Sequence, residues 1–235
     1  MEQFTKLLEE KGISLSPHQL TQFHTYYELL VEWNKKMNLT AITEKDEVYL
    51  KHFYDSITPS FYYPFSDHLS LCDVGSGAGF PSIPLKIVFP EIKVTIVDSL
   101  KKRLTFLQEV IDKLALNQVT LYHDRAELFA KRPDIRESFD IVSARAVAHL
   151  SVLSEYCLPL VKIGGQFIAL KGAQAKDELK NSEHALTVLG GKMSKIESLI
   201  LPEENSLRHI IFIEKNKQTP KKYPRKPGTP SKSPL

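Results

Sequence analysis

Apolar residues recur at two different periods along this chain, and the change of period divides it. Near the start, Phe4, Leu7 and Leu8 fall on one helical face, with Gly12 placed to end the helix. A second helix is predicted from Ser16-Pro17-His18-Gln19, where Ser16 can cap, Pro17 suits the first position and Gln19 can close a capping box. Phe23, Tyr26, Leu30, Trp33 and Met37 continue it at spacings of three and four. The segment Asn38 to Ile42 breaks the period, and Thr43-Glu44-Lys45-Asp46 has the form of a new helix start leading through Val48, Leu50 and Phe53. His52, Asp55 and Ser56 then share one face. That face is either the rim of a site or a hydrogen-bonding surface against whatever lies beneath it. Tyr62, Tyr63, Pro64 and Phe65 form an aromatic turn that closes a helical N-terminal annex over residues 1–66.

From Leu69 the pattern switches to short apolar runs alternating with helical stripes, which predicts an α/β doubly wound sheet over 67–216. Strands are expected at 69–74, 93–98, 118–122, 139–143 and 165–170, and Leu104, Leu107, Ile111 and Leu114 form the stripe of a helix over 101–115. A helix near 175–189, Gly190-Gly191, a strand near 193–200 and a last strand from His209 to Glu214 complete the pattern. The connection between the last two strands is short and contains Pro202, too little for a parallel crossover, so the last strand must return antiparallel. The expected result is a seven-stranded mixed sheet. Beyond it, Thr219 to Pro230 holds four prolines and no apolar period, the composition of an extended or flexible arm.

Composition changes this picture little until the charge is divided. The chain has 235 residues, 42% hydrophobic and 25% charged, enough for one core with a helical annex. No apolar run reaches the roughly 18 residues of a membrane span, and the start is charged from Glu2, so a cytosolic protein is expected. Of 31 Lys and Arg against 28 Asp and Glu, six bases and no acid lie in 217–235, which leaves 25 against 28 elsewhere. The basic excess is therefore the tail's, and it suits either a phosphate-binding arm or a solubilising one. Cys72 and Cys157 sit in separate apolar segments outside any metal-ligand spacing and read as buried thiols; no metal site is expected.

The candidate chemistry centres on Leu71-Cys-Asp-Val-Gly-Ser-Gly-Ala-Gly-Phe-Pro81, an apolar strand that ends in a glycine loop. Gly75, Gly77 and Gly79 permit positive φ and leave no Cβ between the backbone and a nucleoside. A dinucleotide loop would carry glycine where Phe80 stands, and a phosphate-cradling loop would be followed by Lys-Ser or Lys-Thr; neither holds here. Asp98 ends the second strand, where a carboxylate can accept from two ribose hydroxyls or cap the next helix. The third strand ends in Tyr122-His-Asp-Arg-Ala-Glu127, beside which an adenine would lie.

Gly-x-Gly-x-Gly, the acid after strand two and the acidic turn after strand three resemble the Rossmann-like class I S-adenosylmethionine-dependent methyltransferases, whose fold also accommodates the antiparallel last strand. A narrower likeness runs through Asp73 to Pro81, Asp124-Arg-Ala-Glu127, Ser143-Ala-Arg-Ala-Val147, Ala169-Leu-Lys-Gly172, the Asn34 to Thr40 segment and the tail Tyr223 to Pro230. Over essentially the whole chain these resemble the bacterial 16S ribosomal RNA guanine-N7 methyltransferases, the glucose-inhibited division protein B family. That resemblance implies S-adenosyl-L-methionine as cofactor and a guanine of 16S ribosomal RNA, naked or in a small-subunit precursor, as acceptor; a monomer is expected, though no residue pattern in the chain fixes the oligomeric state. It also implies Gly75, Phe80, Ala126, Glu127 and Arg145 as cofactor contacts, with Gly77 and Gly79 completing the loop and Asp98 carried from the wider class.

The segment after strand four, Ser143-Ala-Arg-Ala, lacks the Asp or Asn followed by Pro-Pro that resembles the exocyclic-amine methylating enzymes, and neither cysteine is placed as a pyrimidine nucleophile. Guanine N7 carries a lone pair and no proton, so its methylation requires no general base. Arg145 is the catalytic candidate, orienting the guanine or the methionine end of the cofactor, and its loss is expected to abolish transfer with little loss of folding. Arg125 and Lys171 on the same rim, and Asn38 and His52 from the annex, are the candidate RNA contacts; solvated or structural charges are the alternative for each. The competing functions are ribose 2′-O methylation, with Lys171 as part of a base, a nucleoside-binding RNA chaperone without chemistry, and methylation of a small molecule.

Overall fold

In the computed structural model, which describes residues 1–66, 68–145, 147–202 and 206–235, the apolar runs pair into a single sheet. Its strands are β1 (Ser70–Val74), β2 (Lys93–Asp98), β3 (Val119–His123), β4 (Phe139–Arg145), β5 (Val161–Lys171), β6 (Gly191–Ile200) and β7 (Leu207–Lys215), in the order β3-β2-β1-β4-β5-β7-β6. β1 is buried from Leu71 to Val74 because it lies between two parallel neighbours with helices over both faces. Asp73 stands opposite Ile96 of β2 and Ser143 of β4, so the carboxyl ends of β1, β2 and β4 finish at one level. The strand order reverses between β1 and β4, the place where open α/β sheets bind ligands. β7 runs antiparallel to both β5 and β6, as the short connection requires. Residues 203–205 of that connection, and Ala146 of the Ser143 to Val147 motif, lie outside the described residues.

The annex consists of α1 (Glu2–Glu9), α2 (Pro17–Asn34), α3 (Lys45–Val48), a π turn over Tyr49–Tyr54 and α4 (Asp55–Ile57). The capping box forms: Gln19 N–H donates to Ser16 Oγ at 3.2 Å and Ser16 N–H to Gln19 Oε1 at 2.8 Å. Gln19 Nε2 reaches further, to the Ile87 and Val88 carbonyls at the end of α5 (Ser82–Val88). α2 stops at Asn34, whose Oδ1 accepts from Leu39 and Thr40 N–H at 2.8 and 3.0 Å and turns the chain towards the sheet. Phe4, Phe23, Tyr26 and Phe53 join Phe80, Ile83 and Leu107 in one apolar cluster, so annex and sheet share a core. Cys72 and Cys157 are buried free thiols, as read from their surroundings.

On the sheet's flanks lie α6 (Lys101–Lys113), α7 (Ala126–Phe129), α8 (Leu150–Cys157), α9 (Ala175–Lys180) and α10 (Glu183–Leu189). The last two replace the single helix expected over 175–189. Ser182 Oγ donates to the Glu178 carbonyl at 2.6 Å, a local side-chain bond that competes with the helical ladder and breaks it there. Among the described residues no helix is long and apolar enough to cross a membrane.

The tail departs from its expected form. Rather than an extended or flexible arm, residues 217–235 fold back on the domain and end in α11 (Thr229–Lys232). Lys215, fully buried, bonds the Leu158 carbonyl at 2.5 Å, Thr219 Oγ1 at 2.9 Å and Glu137 at 3.0 Å. Arg136 donates to the Thr219 and Tyr223 carbonyls at 2.7 and 2.9 Å. Arg225 grips the fully buried Glu155 through Nε at 2.9 Å and Nη2 at 2.6 Å. A proline-rich segment with no apolar period is thus held through its backbone carbonyls and amides, the Thr219 hydroxyl and Arg225.

Candidate active site

The glycine loop follows β1, and its three glycines have different tasks. Gly77, at φ +63°, has open space where a Cβ would point, whereas a Cβ on Gly79, at φ +97°, would stand 2.7 Å from Tyr26 Oη and 2.9 Å from Leu107. Gly75 and Gly77 line a cavity of about 600 Å³ with Ser76, Ala78 and Phe80, while Gly79 turns away beneath the annex. Gly79 is therefore a packing requirement of Tyr26, whose hydroxyl donates to the Ala78 carbonyl, and is not brought to the cleft.

Asp98 closes one side of this cleft. Buried at its rim, it accepts from Leu100 N–H at 2.9 Å, Gly77 N–H at 3.3 Å and Arg103 Nη1 at 3.4 Å. Asp98 thus ties the start of α6 to the glycine loop, although its bond to Leu100 N–H reaches the N-cap residue itself and not the first-turn amides that a helix cap would satisfy. Asp124, Arg125, Ala126 and Glu127 form the wall after β3, with Arg125 exposed and Glu127 buried. Ser76 Oγ is buried on the cleft with no hydrogen-bond partner among the described residues, a polar group that a bound nucleoside can satisfy.

At the other end the annex meets β4. Arg145 Nη1 is 3.0 Å from Asp55 Oδ2 and 3.3 Å from Ser56 Oγ, and the guanidinium lies 4.7 Å from the Phe80 ring centre. His52 stacks on the same ring at 4.7 Å. Its Nδ1 faces Arg145 Nη2 at 3.4 Å and so accepts, which leaves Nε2–H to donate to Thr40 Oγ1 at 2.7 Å. Burial, reinforced by the Arg145 charge, holds the imidazole down to about 3, so the ring is neutral. Behind the loop, burial pushes the Asp73 carboxyl up to about 7 against the pull of Ser82, whose N–H lies 3.1 Å from Oδ2.

A second cavity of about 640 Å³ adjoins the first, and His52, Arg145 and Val147 line both. Lys171 lies on its wall, with Nζ 2.7 Å from Glu178 Oε2 and 2.6 Å from the Ala148 carbonyl; Glu178 also accepts from Leu150 N–H at 2.8 Å. Asp55, Arg208 and His209 complete the opposite side. Asn38 is exposed and outside the lining of either cavity; its neighbours Leu39 and Thr40 line the first.

The family model for GidB, described as rRNA small subunit methyltransferase G, matches residues 19–210. The chain belongs to that family. It is 64% identical over 235 residues to the ribosomal RNA small subunit methyltransferase G of Bacillus cytotoxicus, and 65% identical over 235 residues to that of Bacillus cereus, in each case covering all of this chain and 98% of the relative. Among solved structures it resembles TrmN from Thermus thermophilus, with a TM-score of 0.55 at 16% identity over 69% of this chain and 48% of that one. The [4+2]-cyclase SpnF also superposes, with a TM-score of 0.55 at 13% identity over 69% of this chain and 81% of that one. These likenesses establish the class I methyltransferase fold, and a cyclase among them illustrates that the fold alone does not fix the chemistry. Family membership, which rests on the sequence, makes the chain a methyltransferase.

Within this methyltransferase, three residues that line the first cavity were not singled out as site residues by the sequence, although Gly228 lies in the tail stretch that carries part of the family likeness. Tyr156 of α8 and Gly228 and Ser231 of the tail line that first cavity, beside the glycine loop and Asp98. They come from segments whose local pattern reports only a helix and a proline-rich stretch.

Proposed function

We propose that the chain transfers a methyl group from S-adenosyl-L-methionine to N7 of one guanine in 16S ribosomal RNA. The observation that carries this reading is the junction of the two cavities at His52, Arg145 and Val147, which gives a nucleoside cleft and an acceptor chamber one common opening. Gly75, Gly77, Phe80, Asp98, Ala126 and Glu127 fit the cofactor: an open glycine backbone, a ribose acceptor and an adenine wall, with Ser76 Oγ awaiting a partner. When bound, the cofactor supplies an electrophilic methyl on a sulfonium.

The chamber suits a guanine. Its edge displays the N1–H and N2–H donors and the O6 acceptor, and the lining offers Asp55 and Glu178 carboxylates beside Lys171, Arg208 and Arg145. With the cofactor held by the residues above, the N7 lone pair would take that methyl as the sulfur–carbon pair returned to sulfur, and the positive charge would pass to the base. No proton is removed, so this chain's residues need only align and desolvate the partners, which is worth up to ~7–11 kcal/mol. Neutral His52 suits that role, since it holds Phe80 and Arg145 in place without adding charge.

The experiment is transfer of tritiated methyl to small-subunit RNA from cells lacking this protein, supplied naked and as the particle. Strand cleavage at N7-methylguanine then maps the base. Label at a ribose hydroxyl or an exocyclic amine, or cofactor binding without label, excludes the proposal.

A further inference from the structure

By composition the tail suits either a phosphate-binding or a solubilising arm, yet two of its hydrogen bonds lead to the cofactor-side cleft. Gly228 N–H donates to Glu127 Oε1 at 2.9 Å, and Glu127 is buried on the cleft wall after β3. Ser231 Oγ lies 2.9 Å from Tyr156 Oη, and Gly228, Ser231 and Tyr156 all line the cleft. This segment is held by the grip of Arg225 on Glu155, whose carboxylate, fully buried on α8, also accepts from Arg225 N–H at 2.7 Å. Three donors on one buried carboxylate fix the position of the chain two residues before Pro227 and three before Gly228.

We propose that the C-terminal tail is a wall of the cofactor cleft at its purine end, and that Arg225 on Glu155 is the positioning contact that sets cofactor affinity. The proposal deepens the cofactor assignment made above and rests on it. The Gly228 amide fixes the Glu127 carboxylate from outside while the cofactor's nucleoside meets the same wall from inside. Release of the tail removes Gly228 and Ser231 from the lining and leaves Glu127 to reorient. Coupling of this kind is reciprocal: whatever the docked tail adds to nucleoside binding, the nucleoside adds to tail docking. Of the tail's bases, Arg225 is committed to Glu155, while Lys217, Lys221, Lys222, Lys226 and Lys232 are exposed and outside the lining of the cleft.

The test uses the full chain with S-adenosylmethionine and S-adenosylhomocysteine as probes. Arg225→Ala is expected to raise both dissociation constants about tenfold. KM for the cofactor should rise with kcat nearly unchanged, and the RNA affinity and its salt slope should stay as in the parent. Arg225→Lys should recover part of the loss. Ser231→Phe, which leaves the Arg225–Glu155 pair intact, should weaken nucleoside binding without lowering the melting temperature. In the parent, amide exchange over 225–231 should slow when either nucleoside is added, a change that a purely structural staple does not produce. Unchanged nucleoside affinity in Arg225→Ala, with either a lowered melting temperature or a reduced salt slope for RNA, overturns the proposal in favour of a staple or an RNA arm. A parent chain that binds neither nucleoside overturns the cofactor assignment itself and this inference with it.

Discussion

The His52 ring lies on Phe80 with centroids 4.7 Å apart and 22° between planes, which joins the annex to the glycine loop at the mouth of both cavities. An imidazole fixed there cannot take up a proton readily, because burial and Arg145 both oppose the charge. Asp73, behind the same loop, has the opposite displacement.

These two groups give the folded state opposing responses to pH. His52 falls from 6.5 to about 3 on folding, so its contribution is complete above pH 6.5 and is lost as pH drops towards 3. Asp73 rises from 3.8 to about 7, so its contribution is complete below pH 3.8 and is lost as pH climbs towards 7. Between these limits each changes stability by up to ~1.4 kcal/mol per pH unit, with opposite sign. Relative to the parent, His52→Phe should make stability fall with rising pH across about 4.5–6.5, and Asp73→Asn should make it rise. Urea midpoints at three pH values check this, and parallel profiles for all three proteins would sink it.

Arg145→Ala should lower methyl transfer at least ~100-fold, the scale on which misplacement of reacting groups acts. The sequence suggested that folding would be spared, but the structure places Arg145 in a half-buried pair with the buried Asp55 carboxylate. A loss of about 1–3 kcal/mol is expected, less than for an isolated buried pair because Arg208 Nε lies 3.5 Å from the other Asp55 oxygen. Single-turnover rates with thermal melts separate the two effects; near-parental turnover removes Arg145 from the reaction.

The loop glycines should separate in the same way. Gly79→Ala meets Tyr26, Ile83 and Leu107 within 3 Å in addition to its positive φ, and should destabilise by about 2–4 kcal/mol. Gly77→Ala has open space around it and should cost only ~1–2 kcal/mol of backbone strain while weakening nucleoside binding. Equal losses of stability would mean that the annex does not press on Gly79.

Lys171 and Arg125, paired in the sequence as RNA candidates, should behave differently. Lys171 is neutralised by Glu178, so Lys171→Met should lower stability and leave the salt dependence of RNA binding unchanged. Arg125 is exposed on the cleft wall, and Arg125→Ala should reduce the slope of log K against log salt by about 0.7. A slope change from Lys171→Met alone would reverse this assignment.

Much of the fold could be read locally. Strand and helix positions, the capping box at Ser16 and Gln19, the antiparallel return of β7 and the acid at the end of β2 depend on periodicity and turn chemistry within a few residues. These fix where the glycine loop and Asp98 meet, because parallel strands in register end at one level. What only the tertiary structure decided are partners chosen over long separations. Arg145 finds Asp55 across 90 residues, Arg225 finds Glu155 across 70, and Gly228 finds Glu127 across 101. No local pattern specifies such pairs. A charged or proline-rich segment looks the same in sequence whether solvent or a buried carboxylate receives it, and only the packing of α4, α7 and α8 supplies the carboxylates.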